Sequence, residues 1–184
     1  MVPDRNTEES ASPLDFEQIV KVHSAFVYNV AYRMMGNHAD AEEVVQDAFL
    51  SAFRARDRFK GASQVTTWLY RITVNAALMR LRKKSRKVEV PTEPAEMTRA
   101  YDAPDHRASP DQALLSQELG QKLQTSIASL PPDQRSAVVL RDVQGLSNEE
   151  AAAILEITVT ALKTRLHRGR VAIRDALAPY LSGR

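Results

Sequence analysis

Apolar residues recur at steps of three and four along most of this 184-residue chain, the period of helices that bury one face. In "DAEEVVQDAFLSAFRA" that period predicts a helix with Ala41, Val45, Ala48, Phe49 and Ala52 inward and Glu43, Gln46, Asp47, Leu50 and Arg54 outward. "RFKGASQVTTWLYRITVNAALMRLRKKSRK" reads as a loop holding Gly61 and Ser63, then a helix that buries Trp68, Leu69, Ile72, Ala76 and Met79. "SLPPDQRSAVVLRDVQG" predicts a proline-started helix with Val138, Val139, Leu140 and Val143 as its apolar content, ended by Gly145. Ser147 and Glu150 then form a capping box, which opens a short helix through Ile154 and Leu155. After "EIT" a second helix carries the stripe Val159, Leu162, Leu166, Ile173 and Leu177.

The stretch "VEVPTEPAEMTRAYDAPDHRASPD" breaks this pattern with four prolines and more acid than base. It cannot sustain a helix and has little to bury, so it reads as a linker. The expected organisation is all-α: a disordered tail over 1–13, a helical domain over 14–87, a flexible linker over 88–111 and a second small helical domain over 112–184.

Composition narrows the chemistry. The chain has no cysteine, which excludes disulfides and thiolate zinc sites and fits a reducing compartment. Its histidines, His23, His38, His106 and His167, are scattered, so no metal cluster is expected. The first residues are polar and acidic, and no apolar run approaches a membrane span, so a cytoplasmic protein without membrane insertion is expected. No carboxylate pair, nucleophile with base or glycine-rich phosphate loop stands at usable spacing, so neither catalysis nor a cofactor is expected.

Net charge is only +2, but it is unevenly placed. Six of the eight residues from Arg80 to Lys87 are basic, more than the dipole at a helix C-terminus calls for. On the last helix, the face opposite the apolar stripe collects Thr160, Thr164, His167 and Arg168, flanked by Lys163, Arg165 and Arg174. No acid lies between Ile157 and Ile173, so intrahelical ion pairs do not explain these cations. Two readings stand side by side: a solvated basic face, or a helix-turn-helix that meets base edges and phosphates in a major groove. Glu43 and Asp47, like charges one turn apart beside the exposed Leu50, similarly suit either an ordinary surface helix or a dock for a basic, partly apolar partner.

These motifs, in this order, resemble the extracytoplasmic function (ECF) sigma factors of bacterial RNA polymerase. "DAEEVVQDAF" is similar to the family's polymerase-binding helix, and "FKGASQVTTWLYRITVN" to its promoter-melting loop and helix. "LPPDQRSAVVLRDVQGLSNEEAAAIL" with "VTALKTRLHRGR" resembles its C-terminal helix-turn-helix. The resemblance implies that Asp40, Glu43, Gln46, Asp47 and Leu50 meet the clamp helices of core RNA polymerase. It implies that Lys60, Gly61, Ser63, Gln64 and Asn75 receive the opened -10 element while Arg80, Arg82 and Lys83 hold its phosphates. It further implies that Thr160, Lys163, Thr164, Arg165, His167, Arg168 and Arg170 read the -35 duplex, that the polymerase flap meets the other side of this module, and that an anti-sigma factor controls the whole. Two positions depart from the family pattern: Met79 stands where aspartate is common, and Thr160 where a turn glycine is common. The alternative is a helix-turn-helix repressor or activator that acts without polymerase, although no dimerisation seam is evident.

Overall fold

The computed structural model describes residues 16–59, 64–87 and 110–182. The expected tail and most of the expected linker lie outside them. Seven α-helices account for nearly all of the described chain: α1 (Phe16–Met35), α2 (His38–Ala55), α3 (Val65–Lys87), α4 (Pro110–Ser129), α5 (Pro132–Val138), α6 (Asn148–Leu155) and α7 (Val159–Ser182). A 3₁₀ turn, Arg56–Arg58, follows α2. Helix α4 takes in the last two residues that sequence assigned to the linker.

Local chemistry sets most boundaries. Asn37 caps α2, its side-chain oxygen accepting from the Asp40 N–H at 2.9 Å. Prolines 131 and 132 start α5, which widens into a π-helical turn over Val139–Val143 and stops before Gly145 at φ +74°. The Ser147–Glu150 capping box is formed on both sides, at 2.8 and 3.1 Å. Helix α6 ends with Glu156 in the left-handed region at φ 55°, and the Ile157 N–H reaches back to the Ala152 carbonyl at 3.0 Å. Thr158 then caps α7 through its hydroxyl, which accepts from the Ala161 N–H. The tight turn between α6 and α7 is therefore made at Glu156, and Thr160 already lies in the first turn of α7.

Helices α1 to α3 pack on one another, and α4 to α7 form a second unit. One small cluster belongs to the first unit alone: Ile19, Val27, Ala48, Ala52 and Leu69, closed by Phe16, Phe49 and Trp68. The larger cluster crosses both units, joining Val30 and Met34 of α1 and Val74 of α3 to Ile127, Val139, Leu140, Ile154 and Leu162. Gly36 sits at this seam with φ +81°, and a Cβ on it would stand 2.8 Å from the Ala128 Cβ. Buried Arg135 fastens the seam by donating to the Met34 carbonyl at the end of α1 (2.7 Å) and to the Leu130 (3.0 Å) and Ala128 carbonyls at the end of α4. At its edges, Arg33 donates to Gln124 (3.0 Å), Tyr70 to Gln144 (3.3 Å) and Arg71 to the Ala153 carbonyl (3.2 Å).

Two expected stripes are rotated. Helix α3 buries Leu69, Tyr70, Thr73, Val74 and Ala77, about one residue round from the expected face, leaving Trp68, Ile72 and Ala76 half-buried and Met79 68% exposed. Tyr70, Val74 and Ala77 are drawn into the cluster shared with the second unit, Tyr70 between Phe26 of α1 and Gln144, and the buried Thr73 hydroxyl is satisfied by donating to the Leu69 carbonyl. On α2, Val44 is fully buried while Val45 and Phe49 are half-buried. Val143, expected inside, stands at the exposed end of the π-helical turn.

Candidate functional site

Helices α2 and α3 leave a groove of about 840 Å³ between them, floored by the half-buried Ile72 and Ala76 and walled by Asp47, Leu50, Asn75, Met79 and Arg82. It exists because the small residues Ala48 and Ala52 bring the two helices close on their inner faces while Leu50 and Met79 are left outside. The outward positions of α2 fall where the period placed them: Glu43, Gln46, Asp47, Leu50 and Arg54 are all exposed along one side. Leu50 at 47% and Phe53 at 45% exposure make that side partly apolar.

Asp40 departs from this row. It is 5% exposed and points toward α3, where its Oδ1 accepts from Arg80 Nε at 3.0 Å and Nη2 at 2.8 Å, and its Oδ2 accepts from Lys84 and from Asn37 at 2.6 Å. Burial pushes this carboxyl up, but the hydrogen bonds from Lys84, Asn37 and Arg80 outweigh it and hold the group below the ordinary aspartate value. The third nitrogen of Arg80, Nη1, is paired with Glu43. Of the basic run, Arg80 and Lys84 are thus engaged, whereas Arg82 and Lys83 are exposed with no ion pair among the described residues.

Asn75 is exposed on the groove wall, and Gln64 is exposed just before α3. Lys60, Gly61 and Ser63 lie outside the described residues. The structure therefore brings Asn75, Arg82 and Lys83 to the same groove as Asp47 and Leu50, a juxtaposition of the two residue sets that single-helix periodicity could not reveal.

On the second unit, α7 presents Thr160, Lys163, Thr164, His167 and Arg168 to solvent, while Leu162, Leu166 and Gly169 face inward. At the buried Gly169, α7 approaches α5 so closely that a Cβ would stand 2.8 Å from a Val138 methyl. The cations are not equivalent. Arg170 is held by Asp142 through two bonds of 2.9 and 2.6 Å, and Arg165 lies 3.3 Å from Asp133. Lys163, His167 and Arg168 have no such partner among the described residues. The acids that sequence could not find within α7 come from α5 and from the π-helical turn after it. Their pairing fixes Arg165 and Arg170 on the flanks and leaves the central cation, Arg168, unspent.

No group of acids or histidines that could hold a metal occurs among the described residues, and no described helix is long and apolar enough to cross a membrane.

Residues 19–87 match the family model for sigma-70 region 2, and residues 120–173 match that for sigma-70 region 4. The chain is 36% identical over 179 residues to the ECF RNA polymerase sigma factor SigE of Mycolicibacterium smegmatis, covering 97% of this chain and 67% of that protein. It is 40% identical over 145 residues to the sigma-E factor of Escherichia coli K12, covering 77% of this chain and 76% of that one. Among solved structures, the sigma factor RpoE of Bartonella quintana, in complex with the anti-sigma factor NepR, superposes with a TM-score of 0.68 at 28% identity, over 89% of this chain and 97% of that one. CnrH, in complex with the cytosolic domain of CnrY, gives 0.60 at 25% identity, over 89% and 88%.

Proposed function

Because the chain belongs to the ECF group of sigma-70 factors, it is an initiation factor that binds core RNA polymerase and directs promoter-specific transcription, and we propose how its residues divide that work. The first unit, residues 14–87, takes the polymerase clamp helices on the exposed row Glu43, Gln46, Asp47 and Leu50. This row offers two carboxylates and an apolar side chain to a basic, partly apolar helix surface. Asp40 serves that surface from inside, fixing α2 to α3 through Arg80 and Lys84. The opened -10 strand runs along α3, with Asn75 beside a base and Arg82 and Lys83 on phosphates. Lys60, Gly61, Ser63 and Gln64 complete that site at the start of α3.

The second unit, residues 112–184, places α7 in the major groove of the -35 element. Lys163, Thr164, His167 and Arg168 face base edges there, Thr160 sits at the helix start, and Arg165 and Arg170 approach flanking phosphates. The polymerase flap takes the opposite side of this unit. Residues 88–111 tether the two. Control falls to an anti-sigma factor, as in the complex of RpoE with the anti-sigma factor NepR. The chain works where polymerase works, in the cytoplasm, and performs no catalysis and needs no cofactor of its own.

The observation that carries this reading is the groove in which an acidic, partly apolar row of α2 stands beside the unpaired cations of α3. Run-off transcription with purified core polymerase tests it. Template-specific RNA that depends on this chain is expected; promoter binding by the chain alone, with no RNA on adding polymerase, would instead indicate an independent repressor or activator.

A further inference from the structure

The pairing of Arg80 links two surfaces that the reading above assigns to different partners. Its guanidinium has three edges. Two, Nε and Nη2, are anchored on the buried carboxylate of Asp40, which Asn37 and Lys84 also hold. The third, Nη1, is closed by Glu43, whose side chain is 57% exposed and lies on the row that faces polymerase. The Asp40 anchor is buried and does not depend on any partner. The Glu43 contact is at the surface, where an ion pair contributes little and exchanges readily.

We propose that Glu43 masks Arg80 from nucleic acid in the free protein, and that engagement of Glu43 by a basic polymerase surface turns the Arg80 Nη1 edge over to a strand phosphate. This deepens the function proposed above and rests on its placement of polymerase on α2 and of the -10 strand on α3. The quartet Asp40, Glu43, Arg80 and Lys84 is neutral while closed, so that among the described side chains at this end of α3 Arg82 and Lys83 are the cations left for a phosphate. Once Glu43 is drawn away, one positive charge appears, already aimed by Asp40. Affinity for the strand then rises only after polymerase has been bound, and by reciprocity the strand raises affinity for polymerase. Arg80 is a positioning residue until that exchange and a phosphate contact after it.

The test uses the full chain without polymerase and a fluorescein-labelled 12-nucleotide oligothymidine as a sequence-independent strand. Glu43→Gln should bind it roughly three- to tenfold more tightly than wild type, with a salt slope steeper by about 0.7, the increment for one further phosphate contact on a single strand. Glu42→Gln removes the same charge from the neighbouring exposed residue and should change affinity less than twofold. The gain of Glu43→Gln should vanish in an Arg80→Gln background. In a second titration, core polymerase should assemble with Arg80→Gln at least about twofold more tightly than with wild type, because Glu43 is then free. Lys21→Gln, which removes a like charge from α1, should show no such gain.

Equal gains from Glu43→Gln and Glu42→Gln, or a gain that survives loss of Arg80, would overturn the masking while leaving strand binding by α3 intact. Strand binding that ignores Arg82→Gln, or is absent from every variant, would overturn the placement of the strand itself and the coupling with it. Should Arg80→Gln fail to fold, the comparison of Glu43→Gln with Glu42→Gln still decides.

Discussion

Two glycines with nearly the same backbone conformation have different reasons to be glycine. Gly36 and Gly145 both lie at positive φ, +81° and +74°, where any side chain is strained. Around Gly145 nothing lies within 4 Å of an added Cβ, so Gly145→Ala meets only the backbone term, about 1 kcal/mol of lost stability. At Gly36 the same Cβ would collide with the Ala128 Cβ of α4, which cannot swing aside. Gly36→Ala should therefore lower the melting temperature further than Gly145→Ala and weaken the seam between the units, which limited proteolysis would register as faster cleavage. Equal melting temperatures for the two variants would show that the seam yields at no cost. Asp40 gives a second residue-scale expectation. Its carboxyl is held below the ordinary value of 3.8, so its stabilising bonds are present above that pH and are lost as pH falls through the lowered value. Asp40→Asn should cost about 1 to 2 kcal/mol at neutral pH yet flatten the acid limb below about pH 4. An unchanged acid limb in a pH series of denaturant melts would mean that other carboxylates govern it.

At the scale of the element, what could be read from sequence was what lies within one helix or its cap. The Ser147–Glu150 box, the proline start of α5 and the Gly145 stop all depend on residues at most a few positions apart, and all are formed as read. The Asn37 cap had the same kind of signal, an asparagine three residues before Asp40, and was within reach of the same rule. Neither the burial of Asp40 nor the rotation of α3 was within reach. Each is decided by a partner elsewhere in the chain: Arg80 and Lys84 for the first, Phe26 and Gln144 for the second. Helix α7 shows the same limit, because its flanking arginines find their acids on α5 and the turn after it. That difference carries a prediction. Arg168→Ala should lose about 1 to 3 kcal/mol on a preferred -35 duplex and relax specificity, whereas Arg165→Ala should weaken preferred and scrambled duplexes alike and flatten the salt slope. Equal losses on both duplexes for Arg168→Ala in an anisotropy titration would move it to the phosphate class. Ser147→Ala should remove about 1 kcal/mol from the cap of α6, measurable as a lower denaturation midpoint, without altering which duplex α7 prefers.

For the molecule as a whole, the two units are joined by more than a tether. Met34, Val74, Ile127, Leu140 and Leu162 occupy one apolar cluster, and Arg135 closes the ends of α1 and α4 together. The resemblance to the family implies -10 and -35 elements about 16 or 17 base pairs apart, which at 3.4 Å per pair is roughly 55 Å. Helices whose side chains share one core cannot also stand on sites that far apart. The 22 residues between Lys87 and Pro110 could span at most roughly 75 Å if fully extended, so chain length permits a separation that the packed units do not have. With the units on those two elements as proposed, binding polymerase and promoter is expected to part the seam, exposing Ile127, Leu140 and the buried Arg135 guanidinium unless new partners cover them. The lack of cysteine makes this directly measurable, since thiols placed at the exposed Lys21 of α1 and Ala172 of α7 would be the only ones in the chain. A donor and acceptor pair on them should show high transfer efficiency in the free protein and a large fall on adding core polymerase with promoter DNA. Replacing Tyr70 by Phe and Arg71 and Gln124 by Ala, which removes the polar contacts these side chains make across the seam and leaves the apolar cluster intact, should shift the free protein part of the way toward the same low value. Efficiency that stays high in a complex competent for initiation would mean that the seam survives, and that the two promoter elements are reached with the units still packed together.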